Sequence, residues 1–221
     1  MLGGTRMDIN VIKNAFPVLL EGSLMTIELT VLSVVFGTVI GIVTALLKLS
    51  KNKFMAGIGG FYTWIFRGTP MLLQLFVIYY GLPSVGVNLS PFQGALIGLS
   101  LNSGAYMAEI IRGGILSVDK GQFEACKSLG FTFFDTMKRV VLPQTFKIII
   151  PSVGNEFITM LKDTSLVSVI AMEEVMRSAQ ILYASTFRPL EIFFITACLY
   201  LLMTTIFTTV FSYYEKKLSV Y

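Results

Sequence analysis

The sequence predicts an all-α integral membrane protein, with five transmembrane helices and a helical hairpin between the third and the fourth. Two observations carry this prediction. First, 54% of the 221 residues are hydrophobic and only 14% are charged, which leaves too many apolar residues for the surface of a soluble domain. Second, five apolar stretches reach the length of about 20 residues that a bilayer-crossing helix needs, and the charged residues gather between them. We expect residues 1–221 to form a single transmembrane domain.

The predicted spans differ in the features that shape them. The first contains Gly37 and Gly41, two small residues one helical turn apart that permit close approach of another helix. The second contains Pro70, and the stretch from Thr69 to Leu82 is too short to cross alone. This helix therefore has to begin before the proline and bend there. The predicted spans are residues 16–47, 57–82, 91–112, 147–171 and 190–213.

The longest charged interruption covers residues 117–143 and has the pattern of a helical hairpin. A short helix is predicted up to Leu129, where Gly130 can adopt the left-handed conformation that ends a helix without strain. Thr132 is a suitable cap for a second helix, and Pro143 is expected to stop it. The pattern places Phe133, Met137 and Val140 on one face of that second helix. We interpret the hairpin as an element that docks into another protein.

The lysines and arginines predict the orientation in the membrane, since cytoplasmic loops carry an excess of them. When the loops are taken alternately, twelve of these residues fall on the side of the hairpin and only Arg6, Lys13, Arg177 and Arg188 fall on the other. We therefore expect the hairpin and the carboxy terminus in the cytoplasm and the amino terminus outside. No signal peptide is expected, because Lys13 leads directly into a full-length span.

The composition also narrows the chemistry. The chain has no histidine, and its two cysteines, Cys126 and Cys198, lie far apart, so we expect neither a disulfide bond nor a zinc or haem site. No phosphate-binding loop of the Gly-x-x-x-x-Gly-Lys-Ser/Thr type is present. The net charge of +4 is explained by the lysines and arginines that gather at the cytoplasmic ends of the spans. No nucleic acid partner is therefore expected.

Polar residues inside the predicted spans are informative because they are costly in hydrocarbon. They can line a path for a polar substrate, or they can bury against one another as structural contacts, and both interpretations stay open. Glu109 and Arg112, one turn apart, are interpreted as an interfacial ion pair. In the fourth span, one helix face carries Ser152, Glu156, Thr159 and Asp163. The candidate pathway residues are Asn102, Ser103, Tyr106, Glu156, Thr159, Lys162 and Asp163.

Several stretches resemble a known family. Glu124-Ala125-Cys126, followed by Gly130 and by Val140-x-Leu142-Pro143, resembles the Glu-Ala-Ala loop of ATP-binding-cassette importer permeases. The resemblance covers residues 17–215, with Cys126 in place of the second alanine and Val140 in place of isoleucine. The segments that resemble the polar amino acid branch of these permeases, the histidine, arginine and glutamine type, are Arg67–Phe76, Ala105–Ile115 and Leu161–Val167.

This resemblance implies a transport subunit that is not itself an enzyme. It implies a partner dimer of cytoplasmic ATPase subunits that binds ATP and magnesium, so no cofactor is expected in this chain. It further implies a second permease subunit, expected to be identical, an external binding protein that delivers an amino acid, and a place among the lipids of a prokaryotic cytoplasmic membrane. The residues implied in docking the ATPase are Gly121, Glu124, Ala125, Cys126, Gly130 and Pro143.

The charges inside the spans bear on the substrate. Glu28, Glu156 and Asp163 outnumber the single cation Lys162, which favours a cationic amino acid such as arginine, lysine or histidine over glutamate. Glutamine is the nearest alternative. The competing interpretation is an ion-coupled secondary transporter or channel in which the acids carry protons or sodium, but it leaves the hairpin without a role. An integral membrane enzyme would need a nucleophile, metal or acid–base cluster, and the sequence offers none.

Overall fold

The structure of the protein, a computed structural model, describes residues 8–219, and every regular element in this part of the chain is helical. The predicted position of Arg6 on the outer side lies outside the described residues. Four short π- and 3₁₀-helical turns join or extend the α-helices, at Val77–Gly81, Leu82–Val85, Met137–Val141 and Thr164–Ile170. The α-helices are α1 (Ile9–Leu49), α2 (Lys53–Gly68), α3 (Met71–Phe76), α4 (Pro91–Leu116), α5 (Lys120–Ser128), α6 (Phe133–Thr136), α7 (Leu142–Asp163), α8 (Val175–Thr186) and α9 (Pro189–Ser219).

Helix α1 forms the spine of the bundle. Its 41 residues extend over about 61 Å at 1.5 Å per residue, and it packs along most of α4. The contact is close because Gly41 has no side chain: a Cβ atom there would lie 2.6 Å from Cβ of Met107. The predicted small-residue helix contact is thus confirmed. The largest fully buried side chains of the core include Leu19, Leu29, Leu75, Leu99, Met107, Met160, Leu161, Ile170 and Ile192.

The second predicted span is divided into two arms. The predicted bend at Pro70 is confirmed, and it is sharp, since the arm Lys53–Gly68 meets the arm Met71–Val85 at 105°. Among the described residues, α1 and Pro189–Leu218 are long and apolar enough to cross a membrane unaided, and the bent pair can count as a third crossing. The number of five crossings therefore stays a prediction.

The hairpin forms as α5 followed by α6. Asp119 caps α5 by accepting a hydrogen bond from the Gly121 backbone N–H at 2.7 Å. Gly130 has the predicted left-handed conformation, with φ +78°. Thr132 caps α6 as predicted, because its Oγ1 accepts from the Asp135 N–H at 3.1 Å. The two ends of the hairpin turn thus follow local rules that the sequence makes visible.

The prediction that Pro143 stops the second helix is wrong. The π-helical turn Met137–Val141 joins α6 to α7, and Pro143 lies in the first turn of α7. Pro143 has no N–H to give to the preceding turn, and the wider π turn before it accommodates the missing hydrogen bond, so the helix continues. The extra residue of the π turn also changes the buried face, which contains Thr136 and Val141, whereas the side chain of Phe133 is 78% exposed.

The connection after α7 is more ordered than a loop. The predicted fourth span, residues 147–171, corresponds to α7 and the 3₁₀ turn Thr164–Ile170, which ends at Ala171 with φ +58°. The connection to α9 then contains α8, a helix that the hydropathy pattern does not indicate. Glu174 caps α8 with its carboxylate.

Candidate transport pathway and docking surface

Helix α7 presents a polar face to the outside of the single chain. The side chains of Ser152, Asn155, Thr159 and Lys162 recur at helical spacing, and all four residues are exposed. Polar groups are costly against lipid, so a face of this kind in a membrane has to meet water or another protein. The predicted stripe is therefore present, but its exposed part is shifted toward Asn155 and Lys162.

Glu156 turns from that face into the bundle. It is 9% exposed and lies beside Ser103 of α4 and near Asp163. Ser103 Oγ is fully buried and has no hydrogen-bond partner within the described part of the chain, so the serine approaches the carboxyl group without completing a bond to it. Asp163 is half-buried and lies next to the charge of Lys162. Two of the predicted pathway residues, Ser103 and Glu156, therefore come together between α4 and α7, and Asp163 lies about two turns farther along α7.

Asn102 lies elsewhere. Its side chain is 5% exposed and donates from Nδ2 to Gln74 Oε1 at 2.9 Å and to the Phe66 carbonyl at 3.3 Å. It therefore faces the bend between α2 and α3 rather than the polar face of α7. Glu28 is exposed on α1.

A cluster of charges joins α1, α2 and α4. Glu109 of α4 forms ion pairs with Lys48 and with Arg112, whose Nη2 lies 2.9 Å from Oε2. Arg67 of α2 approaches Glu109 at 3.9 Å, and its guanidinium carbon lies 5.4 Å from the ring centre of Tyr106. The predicted pair of Glu109 and Arg112 is thus confirmed. Lys48 lies in the last turn of α1, which continues through Leu49.

The hairpin offers an exposed surface of mixed chemistry. Of the predicted docking residues, only Cys126 is buried, at 5% exposed. The apolar side chains of Leu129, Phe133 and Phe134 are 75%, 78% and 70% exposed, next to the charges of α5. Exposed aromatic groups beside charged residues are typical of a protein-binding surface. The exposed predicted docking residues are Gly121, Glu124, Ala125, Gly130 and Pro143.

A buried carboxylate, Glu174, was missed by the sequence analysis. It is 0% exposed and accepts hydrogen bonds from the backbone N–H groups of Met176 and Arg177 at 2.9 and 2.8 Å. It also accepts from the hydroxyl groups of Thr26 and Tyr200 at 3.4 and 3.1 Å. Burial raises the pKa of Glu174 although these hydrogen bonds lower it. The group ties α1, α8 and α9 together.

These features define a helical membrane protein with polar groups between its helices and an exposed hairpin. Residues 37–220 match the family described as the inner membrane component of binding-protein-dependent transport systems. The chain belongs to this family. The match leaves out residues 1–36, which include the first part of α1, and the last residue, 221.

The similar proteins are named as amino acid permeases. The chain is 42% identical to the putative glutamine transport system permease protein GlnP of Rickettsia felis, and also 42% identical to the arginine transport system permease protein ArtQ of Bacillus subtilis. Both alignments cover 91% of this chain and 93% of the relative. The L-cystine transport system permease protein TcyB of Bacillus subtilis is 40% identical, over 99% of this chain and 94% of that protein.

The fold agrees with these relatives. A crystal structure of an amino acid ABC transporter with histidines superposes with a TM-score of 0.91 at 40% identity, over 96% of this chain and 100% of that one. An inward-facing MetNI methionine ABC transporter superposes with a TM-score of 0.78 at 19% identity, which supports the fold alone. The resemblance to the amino acid branch of ATP-binding-cassette importer permeases is confirmed.

Proposed function

We propose that this chain is the transmembrane permease subunit of an ATP-driven importer for polar, basic amino acids. The observation that carries this proposal is the exposed hairpin, which is continuous through α6 and the π turn with α7 and its polar face. The subunit itself does not hydrolyse ATP. A cytoplasmic ATPase dimer that binds ATP and magnesium docks on the hairpin, and an external binding protein delivers the substrate.

The continuity of the hairpin with α7 suggests how ATP is used. When the ATPase subunits close on ATP, they displace α5 and α6. Since no loop separates α6 from α7, the displacement is transmitted to the polar face that contains Asn155 and Thr159. The face then opens to the other side of the membrane, which moves the substrate inward.

A second copy of the chain completes the pathway. The exposed polar face of α7 cannot remain against lipid without a large cost, and two copies related by a twofold axis would cover it with the same face. The homologous amino acid permeases make an identical partner the simplest choice. The path between the copies is then lined by polar groups from both.

The acids next to this face favour a cationic substrate. Glu156 and Asp163 lie about two turns apart on α7 and influence each other electrostatically, and Lys162 is the cation next to Asp163. An arginine, lysine or histidine side chain relieves this excess of negative charge, whereas glutamate adds to it. Glutamine is the nearest alternative, and the name of the relative from Rickettsia felis supports it.

The coupling role of the hairpin is tested with Gly130→Asp and Glu124→Lys. Aspartate at Gly130 has to adopt a left-handed conformation that strains a residue with a side chain, and lysine at Glu124 inverts a charge that is presented to the partner. We expect both variants to reach the membrane but to lose copurifying ATPase and ATP-driven uptake in proteoliposomes. Glu215→Lys, which changes an exposed acid outside the hairpin, serves as the matched control.

Two outcomes would contradict the proposal. Normal ATPase binding and uptake in both hairpin variants would show that the hairpin does not couple the subunits. Uptake by the chain alone, driven by an ion gradient without any ATPase, would identify an ion-coupled transporter instead.

A further inference from the structure

The corner between α2 and α3 leaves backbone groups without their helical partners. α2 ends at Gly68, and Thr69 and Pro70 are extended, with ψ of 148° and 137°, before α3 begins at Met71. The carbonyl groups in the last turn of α2 therefore lose the donors that a continuous helix would give them, and Pro70 has no N–H to offer. Inside a membrane such carbonyls need partners from the protein, because water is absent.

Two side-chain amides supply these partners. The two hydrogens of Gln74 Nε2 serve three acceptors, the carbonyl oxygens of Phe66 and Thr69 at 2.8 and 3.0 Å and Thr69 Oγ1 at 2.9 Å, so one hydrogen is shared. Asn102 Nδ2 donates to the same Phe66 carbonyl and to Gln74 Oε1. The bond from Asn102 holds the Gln74 amide with its nitrogen toward the corner. Gln74 and Asn102 are 6% and 5% exposed, so protein groups rather than solvent surround both amides.

We propose that Gln74 and Asn102 form an amide clamp that fixes the α2–α3 corner during transport, and that Asn102 is a positioning residue. Each partner is on a different helix, α3 and α4, so the clamp joins the corner to the bundle. The clamp replaces the hydrogen bonds that the bend removes. Loss of the clamp would leave a buried carbonyl group without a donor, which is costly. Asn102 acts on transport through the corner and does not touch the substrate.

The clamp also determines where Arg67 lies. Phe66, whose carbonyl receives both amides, is the residue before Arg67, and the Arg67 side chain is 43% exposed. Arg67 pairs with Glu109 at 3.9 Å and lies over the ring of Tyr106, and both contacts depend on the backbone position of the corner. A loosened corner would release this charge from its place beside Tyr106.

The transport test rests on the proposed function and separates positioning from substrate contact. Asn102→Ala and Gln74→Glu are compared with wild type for arginine uptake in proteoliposomes with the ATPase and binding protein. We expect the maximal rate to fall by about tenfold, the loss that corresponds to one buried hydrogen bond. KM is expected to change by less than about twofold, because no substrate contact is removed.

The control and the second variant keep this test decisive. Ser100→Ala removes another buried hydroxyl of α4, one without a hydrogen-bond partner in the described part of the chain, and should leave uptake unchanged. Asn102→Ser keeps one donor and should give an intermediate rate. A raised KM with an unchanged maximal rate would make Asn102 a substrate contact and overturn the proposal. If Ser100→Ala reaches the membrane normally but none of the Asn102 and Gln74 variants does, the two amides are needed for folding, and the proposed role in transport is overturned.

A second measurement does not depend on transport. Spin labels on cysteines that replace Phe61 of α2 and Val77 after α3, which are 62% and 59% exposed, report the angle of the corner in a background without Cys126 and Cys198. Asn102→Ala should broaden the distance distribution between the labels, and Ser100→Ala should not. An unchanged distribution in Asn102→Ala would overturn the clamp. If the distribution broadens in Asn102→Ala but wild type shows no uptake, the clamp stands and the proposed function alone fails.

Discussion

Gly37 of α1 and Ser103 of α4 lie so close that a Cβ atom added to Gly37 would stand 2.7 Å from Cβ of Ser103. No Cβ atom tolerates such a distance, so the helices pack at this spacing only because residue 37 is glycine. Ser103 is also the residue that lies beside Glu156. The glycine therefore sets the distance from the spine of the bundle to one wall of the proposed pathway.

Gly37→Ala is expected to destabilise the protein. The added methyl group has to push α1 from α4, at a cost of about 1–3 kcal/mol, whereas Gly57→Ala, where nothing lies within 4 Å, should gain about 0.5–1 kcal/mol from the better helix propensity of alanine. The opposite signs can be measured as shifts in the midpoint of thermal unfolding in detergent. Equal shifts in the two variants would show that the α1–α4 contact does not control stability.

The predicted topology is tested by accessibility of single cysteines. In a background without Cys126 and Cys198, cysteines are placed at Val87, in the connection before α4, and at Lys217, in the last turn of α9; both residues are exposed. With five crossings and a cytoplasmic carboxy terminus, the amino terminus lies outside, and so does the connection that contains Val87. We therefore expect an impermeant reagent to label Val87→Cys from outside and Lys217→Cys from the cytoplasm. Labelling of both cysteines from one side would contradict the arrangement with five crossings.

Glu174 should make stability depend on pH. Its pKa in the folded protein is raised by burial, so the folded state holds the proton more tightly than the unfolded state does. The stability that this provides is fully present below the ordinary glutamate pKa of about 4.3 and is lost as pH rises through the raised pKa. We expect the midpoint of thermal unfolding of wild type to exceed that of Glu174→Gln by the largest margin at low pH.

Glu173→Gln is the matched control for that measurement, because Glu173 is the neighbouring acid and is exposed. It should leave the pH dependence of wild type in place. A wild-type advantage over Glu174→Gln that grows with rising pH would mean that the hydrogen bonds from Thr26, Tyr200 and the start of α8 outweigh burial and lower the pKa.

Local structure could be predicted from the sequence where neighbouring residues determine it. Gly130, Thr132 and Pro70 each act within a few residues, and the turn, the cap and the bend are all present. Pro143 gave the wrong result because a proline can either end a helix or be accommodated within one, and the π turn that accommodates it leaves no clear signal in the sequence.

The contacts of the candidate site depend on residues that are far apart in the chain. Lys48 and Glu109 are separated by 61 positions, and Thr26 and Glu174 by 148. No spacing rule joins such pairs from one sequence. Helix periodicity placed Asn102 among the polar residues of α4, but only the packing of α3 against α4 shows that its amide faces Gln74.

Glu156 is the residue on which we expect substrate preference to depend. Its carboxyl group lies between α4 and α7, beside Ser103 and near Asp163, at the edge of the face that contains Asn155 and Thr159. Glu156→Gln keeps the size of the side chain and removes the negative charge. We expect uptake and substrate-stimulated ATPase activity with arginine to fall by about tenfold or more, the effect of losing one charged contact, while both activities with glutamine are kept.

Glu28→Gln distinguishes a local effect from a general one. Glu28 lies exposed on α1, so its neutralisation lowers the total negative charge equally without touching the Ser103–Glu156–Asp163 group. If charge in that group selects the substrate, Glu28→Gln keeps the arginine response that Glu156→Gln loses. An unchanged arginine response in Glu156→Gln would mean that this carboxylate does not recognise the cation, and selectivity would then lie with the binding protein. Equal losses with arginine and glutamine would instead make Glu156 part of the moving structure, because an effect on helix motion cannot distinguish the two substrates.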